Sequence, residues 1–148
     1  MAKGFKVVTT PPDEETKKSN DFDIEKAKEL IKGKTFVFCL PGRNVSYIFL
    51  KNFVQLCFEI VQRGGAIQIS QDYSSMVNFA RCKCLGANVL RGPDQLPWDG
   101  KLKYDYQLWI DSDIVFGLEQ FYRLIWMDKD LAGGWYVTED GRTTSVAH

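Results

Sequence analysis

The spacing of apolar residues along the chain predicts strands and helices that follow one another. Three segments rich in strand-forming residues predict strands, at residues 35–40, 66–70 and 104–110, and the first of them is a nearly unbroken apolar run. Apolar residues recur at spacings of three and four in four other segments, at residues 22–32, 45–62, 74–87 and 117–127. Residues 92–103 predict a loop, and residues 132–144 predict a strand followed by a turn at Asp140-Gly141.

Small residues mark the ends of these predicted helices. Gly33, Gly64 and Gly86 follow apolar stripes and predict helix ends, and Ser74 or Ser75 predicts an N-cap. The alternation of strands and helices favours an α/β fold with three layers, α/β/α, and a mostly parallel sheet covered on both faces. Such sheets bind ligands beyond the carboxyl ends of their strands, in a crevice where the strand order reverses.

Composition narrows the class of protein. The chain has 148 residues, 45% of them hydrophobic and 14% aromatic, which suits one domain with a real core. We expect a mobile polar lead-in over residues 1–20 and one domain over residues 21–148. Nineteen basic and nineteen acidic side chains give a net charge of zero, which argues against a protein that coats nucleic acid or an anionic membrane.

The lack of a recognisable targeting signal and the spacing of the cysteines predict a cytoplasmic protein. No apolar run reaches the roughly 18 residues needed to span a bilayer, and the first residues lack the apolar core of a secretory signal. The cysteines lack zinc-finger spacing, so we expect reduced thiols at all four: Cys39, Cys57, Cys82 and Cys84.

Three predicted loops, at residues 41–44, 71–74 and 111–113, follow the three strands and would meet at one edge of the sheet. Asp111 and Asp113 come directly after an apolar strand, and in an extended arrangement both carboxylates point to the same side. Their repulsion favours a hard divalent cation between them, which typically binds one or two carboxylates plus substrate phosphates. The alternative is that Asp111 caps the next helix and Asp113 is a solvated loop residue.

The segment YDYQLWIDSDIVF, residues 104–116, resembles the D-x-D segment of GT-A nucleotide-sugar glycosyltransferases. Other segments resemble that family in the same order. Residues 36–65 resemble its first strand, loop and long helix, residues 74–90 the helix with an Ala-Arg-Asn signature, and residues 128–137 a Gly-Gly-aromatic strand. The match covers roughly residues 35–138 and is closest to glycosyltransferase-like proteins of phages and marine microbes.

The resemblance implies a Rossmann-like GT-A fold and metal-dependent transfer of a glycosyl group from a UDP- or GDP-sugar to an unknown glycan, lipid or protein acceptor. Asp111 and Asp113 would hold Mn²⁺ or Mg²⁺ against the donor diphosphate. Arg81 would contact the diphosphate or support the D-x-D segment, although Cys82 replaces the asparagine of the signature. The resemblance assigns further donor contacts to Pro41, Gly42, Arg43, Asn44, Asp72, Ser112 and Gly134.

Simpler roles remain open for several of these residues. Arg43 could be a solvated side chain, Arg81 could form a surface ion pair, and Asp72 could form a helix-capping turn with Ser74.

Gly133 and Gly134 would let the backbone approach a ligand closely.

The resemblance extends only over the donor half of the family, so we expect a truncated GT-A domain. No residue is a strong candidate for the catalytic base, and the only histidine is His148. One alternative is a non-catalytic binding or oligomerisation module with a degenerate GT-A fold, whose exposed aromatic residues meet another subunit, as in a homo-oligomer. A second alternative is a haloacid dehalogenase-like phosphatase, with Asp111 as nucleophile, Asp113 as acid/base and a lysine nearby.

Overall fold

The computed structural model describes residues 22–134, 136–137 and 144–145. Over these residues the helices and strands are α1 Ile24–Leu30, β1 Thr35–Pro41, α2 Tyr47–Gln62, β2 Ala66–Asp72, α3 Val77–Cys84, β3 Tyr106–Trp109, α4 Leu118–Trp126, β4 Tyr136–Val137 and β5 Thr144–Ser145. Short 3₁₀ turns lie at Val89–Arg91 and Pro97–Gly100. No helix in this part of the chain is long and apolar enough to cross a membrane.

A parallel sheet of three strands, in the order β2-β1-β3, forms the centre of the fold. Phe36 of β1 pairs with Ile67 on one side and with Tyr106 on the other. The predicted α/β fold with a mostly parallel sheet is confirmed. The chain moves outward from β1 to β2 and then crosses back to β3, so the strand order reverses between β1 and β3. β4 and β5 form a separate antiparallel pair.

Side chains of β1 alternate between two cores, one on each face of the sheet. Phe36 and Phe38 lie in the larger core, with buried residues of α1, α2 and α4. Val37 and Cys39 lie in the smaller core, with Cys84 of α3 and with Trp98, which is partly buried. Helices therefore cover both faces of β1, which explains why this strand is apolar throughout.

Local sequence explains how α2 begins and ends. The Ser46 hydroxyl accepts a hydrogen bond from the Phe49 N–H at 3.1 Å, which is an N-cap contact. Four apolar residues at spacings of three and four form the buried stripe, namely Phe49, Phe53, Leu56 and Ile60. The Gly65 N–H donates to the Ile60 carbonyl at 3.0 Å as the chain turns into β2.

The structure corrects the predicted start of α3. Its N-cap is Met76 rather than Ser74 or Ser75. The Ser74 hydroxyl accepts from the Met76 N–H at 3.4 Å, so it forms a local turn before the helix instead of capping the first turn. The helix ends before Gly86, which has a φ of +67°. The predicted lead-in over residues 1–20 and the turn at Asp140-Gly141 lie outside the described residues.

Candidate functional site

The loops that follow β1, β2 and β3 meet at the carboxyl edge of the sheet. The Gly42 N–H donates to the Asp72 carbonyl at 3.0 Å, and the Gly42 carbonyl accepts from the Gln71 side-chain amide. A Cβ atom on Gly42 would lie only 2.6 Å from the Ser112 hydroxyl oxygen. The loops after β1 and β3 are therefore in close contact at the point where the strand order reverses.

Asp111 and Asp113 lie in a turn that follows β3. The strand ends at Trp109, and the Ile114 N–H donates to the Asp111 carbonyl at 3.1 Å. The predicted extended arrangement of the two carboxylates is therefore wrong, because the chain folds back immediately beyond the strand. Both side chains remain at least partly exposed.

The alternative role of Asp111 as the cap of the next helix is also wrong. The N-cap of α4 is Gly117, whose N–H donates to the Gln120 side-chain oxygen at 3.0 Å. Because five residues separate Asp111 from this cap, its carboxylate is not used to start the helix.

Two basic side chains of α3 reach the strand-end carboxylates. Arg81 Nη2 lies 3.5 Å from Asp111 Oδ2, and Lys83 Nζ lies 3.5 Å from Asp72 Oδ1. All four side chains are about half-exposed, and exposed ion pairs of this length contribute little to stability. Sequence reasoning missed Lys83, although its position near the end of the helix that carries Arg81 was a usable signal.

Arg43 contacts an aromatic ring. Its guanidinium carbon lies 4.3 Å from the ring centroid of Tyr73, which is a cation–π geometry. Tyr73 is a second residue that the sequence did not identify. Pro41 is buried as the last residue of β1, whereas Asn44 is exposed.

A cavity of about 290 Å³ lies beside these loops. Arg43, Asn44 and Ser112 line it, together with apolar side chains of α2 and β2 such as Leu50 and Ile69. A lining of this kind suits a flat ring better than a charged phosphate.

Asp72 lies at this edge of the sheet, whereas Gly134 lies beside α4. The Asp72 carboxylate accepts from the Tyr73 N–H at 2.7 Å, and the predicted capping turn with Ser74 does not form, because Met76 caps α3. A Cβ atom on Gly134 would meet Leu124 of α4 at 4.0 Å, so this glycine lies against α4.

Metal binding by this chain alone is not supported within the described residues, where no group of three or more His, Cys, Asp or Glu side chains could hold an ion. Cys39 is buried in the smaller core, and burial raises the pKa of its thiol to about 12, so it stays protonated. Mg²⁺ and Mn²⁺ do not need a site built from protein side chains alone, because they complete their coordination with water and substrate phosphates. An ion at Asp111 and Asp113 would therefore have to share its coordination with a phosphate ligand and water.

The fold and this edge define a small open parallel α/β domain with polar side chains gathered at its switch point. Comparison of the chain with protein-family models gave no match, and comparisons with curated proteins and with solved structures gave none either. The GT-A resemblance therefore depends on the sequence motifs alone, and the transferase activity and its donor stay predictions.

Proposed function

We propose that the carboxyl edge of the sheet binds the diphosphate of a nucleoside-diphosphate sugar, as the donor site of a glycosyltransferase-like domain. The observation that carries this proposal is the convergence of three strand-end loops around Asp111, with Arg81 at 3.5 Å. Polar groups at the switch point of a parallel sheet are where such folds bind ligands.

In this proposal the carboxylates and the cations of α3 share the ligand. Asp111 and Asp113 would hold Mg²⁺ or Mn²⁺, and Arg81 would exchange Asp111 for the diphosphate, to which a guanidinium binds through paired hydrogen bonds. Lys83, which contacts Asp72 at 3.5 Å, supplies a second positive charge at the same edge. When bound, the divalent ion offsets the negative charge that develops on the departing nucleoside diphosphate.

The cavity beside the loops gives a place for the nucleobase. It opens next to Gly42 and Ser112, which join the loop after β1 to the turn that carries the two aspartates. Its mostly apolar lining matches the faces of a base, and Asn44 offers a side-chain amide for hydrogen bonds to the base edge.

The phosphatase alternative receives less support from the contacts. It requires a lysine beside Asp111, whereas Arg81 is a cation that contacts Asp111 in the part of the chain that the structure describes, and Lys83 contacts Asp72.

Titration calorimetry with UDP-, GDP- and CDP-sugars, each with and without Mn²⁺, tests the proposal. We expect metal-dependent binding of one nucleotide class, its loss in Asp113→Asn, and full retention in the control Asp94→Asn, which changes an exposed carboxylate in the loop after α3. Metal-independent binding that survives Asp113→Asn, or no binding of any donor, would overturn it.

A further inference from the structure

Helix α2 carries a second apolar stripe that points away from the core. Its charged residues are Lys51 and Glu59, and the stripe contains neither. The stripe consists of Tyr47, Leu50, Val54, Phe58 and Val61, which are 92%, 46%, 41%, 63% and 56% exposed. At 100° per residue these five positions fall within an arc of about 80°.

The neighbouring strand β2 has an edge that no strand of the described residues covers. Its sequence, AIQISQD, has neither the lysine nor the proline that usually protects an exposed edge from pairing. Ile69, at the middle of the strand, is 52% exposed and lies with Leu50 in the wall of one cavity. The exposed edge and the exposed stripe are therefore parts of one surface, which we call the β2–α2 face.

We propose that the β2–α2 face is a self-association interface, through which two copies of this chain pair around a two-fold axis. In this dimer the two β2 strands pair antiparallel, and the two α2 helices pack antiparallel above them. The proposal does not depend on the proposed function of the carboxyl edge, but the two share a surface, because Leu50 and Ile69 also line the cavity offered to the nucleobase. The dimer would cover that wall of the cavity.

The spacing of the stripe favours a second copy over an unrelated partner. Its residues lie at −7, −4, 0, +4 and +7 relative to Val54, so the stripe is symmetric about that residue. An antiparallel pair with its axis at Val54 places Tyr47 opposite Val61 of the other copy, and Leu50 opposite Phe58. Each large side chain then meets a smaller one, and an interface of this two-fold type must be complementary to itself.

Distances and charges agree with the same arrangement. Paired strands lie about 4.8 Å apart. If α2 of each copy lies above the midpoint between β1 and β2, the two α2 helices are about 10 Å apart across the axis, which is the spacing of packed helices. The position opposite Lys51 would be Cys57, so the two lysines do not face each other.

The area of the face is that of a stable interface. The exposed parts of the five stripe residues and Ile69 amount to roughly 700 Å², on whole-side-chain areas of about 150–250 Å² for each aromatic residue. One partner of a standard interface contributes about 800 Å², whereas monomers rarely expose apolar patches beyond a few hundred Å².

Sedimentation equilibrium over a concentration series, without nucleotide or metal, tests the proposal. We expect twice the chain mass for the wild type and a dissociation constant at least about 30-fold weaker for Val54→Lys. The matched control Gln55→Lys adds the same charge one residue away on the polar side of α2 and should leave the mass unchanged. A wild type that is monomeric at every concentration would overturn the proposal.

A cross-linking experiment tests the position of the axis. A cysteine at an axial residue meets its own copy, so Val54→Cys should form a disulfide-linked dimer under mild oxidation, whereas Gln55→Cys should stay at the wild-type baseline of the native cysteines. Circular dichroism confirms that each variant is folded, and Phe58→Lys replaces Val54→Lys if that variant is not. Equal cross-linking by both cysteine variants would overturn the two-fold arrangement.

Discussion

The two ends of β3 each have an aspartate, and the surroundings of the two carboxylates differ. Asp105, at the amino end, accepts from the Thr35 N–H at 2.8 Å and from Lys34 Nζ at 3.1 Å. The hydrogen bond from Thr35 is the main cause that lowers the pKa of this carboxyl, followed by the bond from Lys34. Asp111, at the carboxyl end, contacts Arg81 at the longer distance of 3.5 Å. The amino end uses its carboxylate to join strands, whereas the carboxylate at the carboxyl end is about half-exposed and contacts its partner at a longer distance.

Backbone contacts show the same contrast. At the amino end the Ala66 N–H donates to the Lys34 carbonyl at 3.0 Å, and the Gly33 N–H donates to the Arg63 carbonyl at 3.1 Å. At the carboxyl end a backbone bond also joins β1 and β2, from the Gly42 N–H to the Asp72 carbonyl at 3.0 Å, but the loops after β1 and β3 meet through the side chain of Ser112. Side chains can move aside more easily than backbone, so the two ends should respond differently to substitution.

Gly65→Ala should have the largest effect. The added Cβ would lie 2.7 Å from Ile60 Cγ2 and 2.8 Å from the Lys34 carbonyl oxygen, and the backbone atom cannot move away without breaking the amino end. We expect a loss of about 2–3 kcal/mol in the free energy of unfolding, measured by urea denaturation. Gly133→Ala is the control, because a Cβ there meets no atom of the described residues within 4 Å. Equal stability of both variants would contradict the tight packing of the amino end.

Gly42→Ala should destabilise the carboxyl end less, by about 1–2 kcal/mol. The clash is with the Ser112 side chain, at 2.6 Å from its Oγ and 2.7 Å from its Cβ, so Ser112→Gly in the same chain should restore the part of the loss that this clash causes. The backbone strain of an alanine at a φ of +157° should remain. A double-mutant cycle in urea measures this coupling. Strictly additive effects would mean that the two loops do not touch.

Asp105→Asn should lower the melting temperature at neutral pH by less than the two glycine substitutions do. The size of this decrease should depend on pH. The folded-state pKa of Asp105 lies below the ordinary value of 3.8, so its stabilisation is present above that value and is lost as the pH falls through the folded-state pKa. Thermal melts from pH 7 down to pH 2 should show wild type and variant converging at the acidic end. A constant gap across this range would rule out the ionised carboxylate as the cause.

Asp111→Asn should have the smallest effect on stability, within about 0.5 kcal/mol at neutral pH, because its ion pair with Arg81 is long and half-exposed. The same variant should abolish metal-dependent nucleotide binding, so stability and binding separate at this residue. Chemical denaturation and calorimetry on one preparation check both outcomes. A large loss of stability would mean that Asp111 serves the fold in the same way as Asp105.

The order of strands and helices could be predicted from local patterns, because each buried face repeats along its own element. Five apolar residues recur at spacings of three and four within residues 45–62, and four of them are buried in α2: Phe49, Phe53, Leu56 and Ile60. The fifth, Val45, is exposed because the helix begins after it, at Tyr47. The exposed stripe of α2 could not be recognised from periodicity, since its apolar residues continue the buried arc without a break. Only the position of α2 over β1 and β2 separates the two stripes.

The candidate site was only partly predictable for a related reason. Parallel strands bring their carboxyl ends together, so the meeting of the three loops follows from the fold class. The contacts of Lys83 with Asp72 and of Arg43 with Tyr73 depend on which strand lies next to which, and that order is a property of the whole sheet. The turn after Trp109 depends on where β3 ends, which the apolar run alone did not define.

The central position of β1 also has a consequence for how the chain folds. β1, α2 and β2 are consecutive, so their pairing needs only a local stretch of chain, whereas Thr35 and Asp105 meet across 70 residues. Closing the longer loop carries more entropy cost before its contacts form, which makes distant parallel pairing slow. We therefore expect β3 to pair with β1 after β2 has done so during refolding, so that the carboxyl edge is completed late.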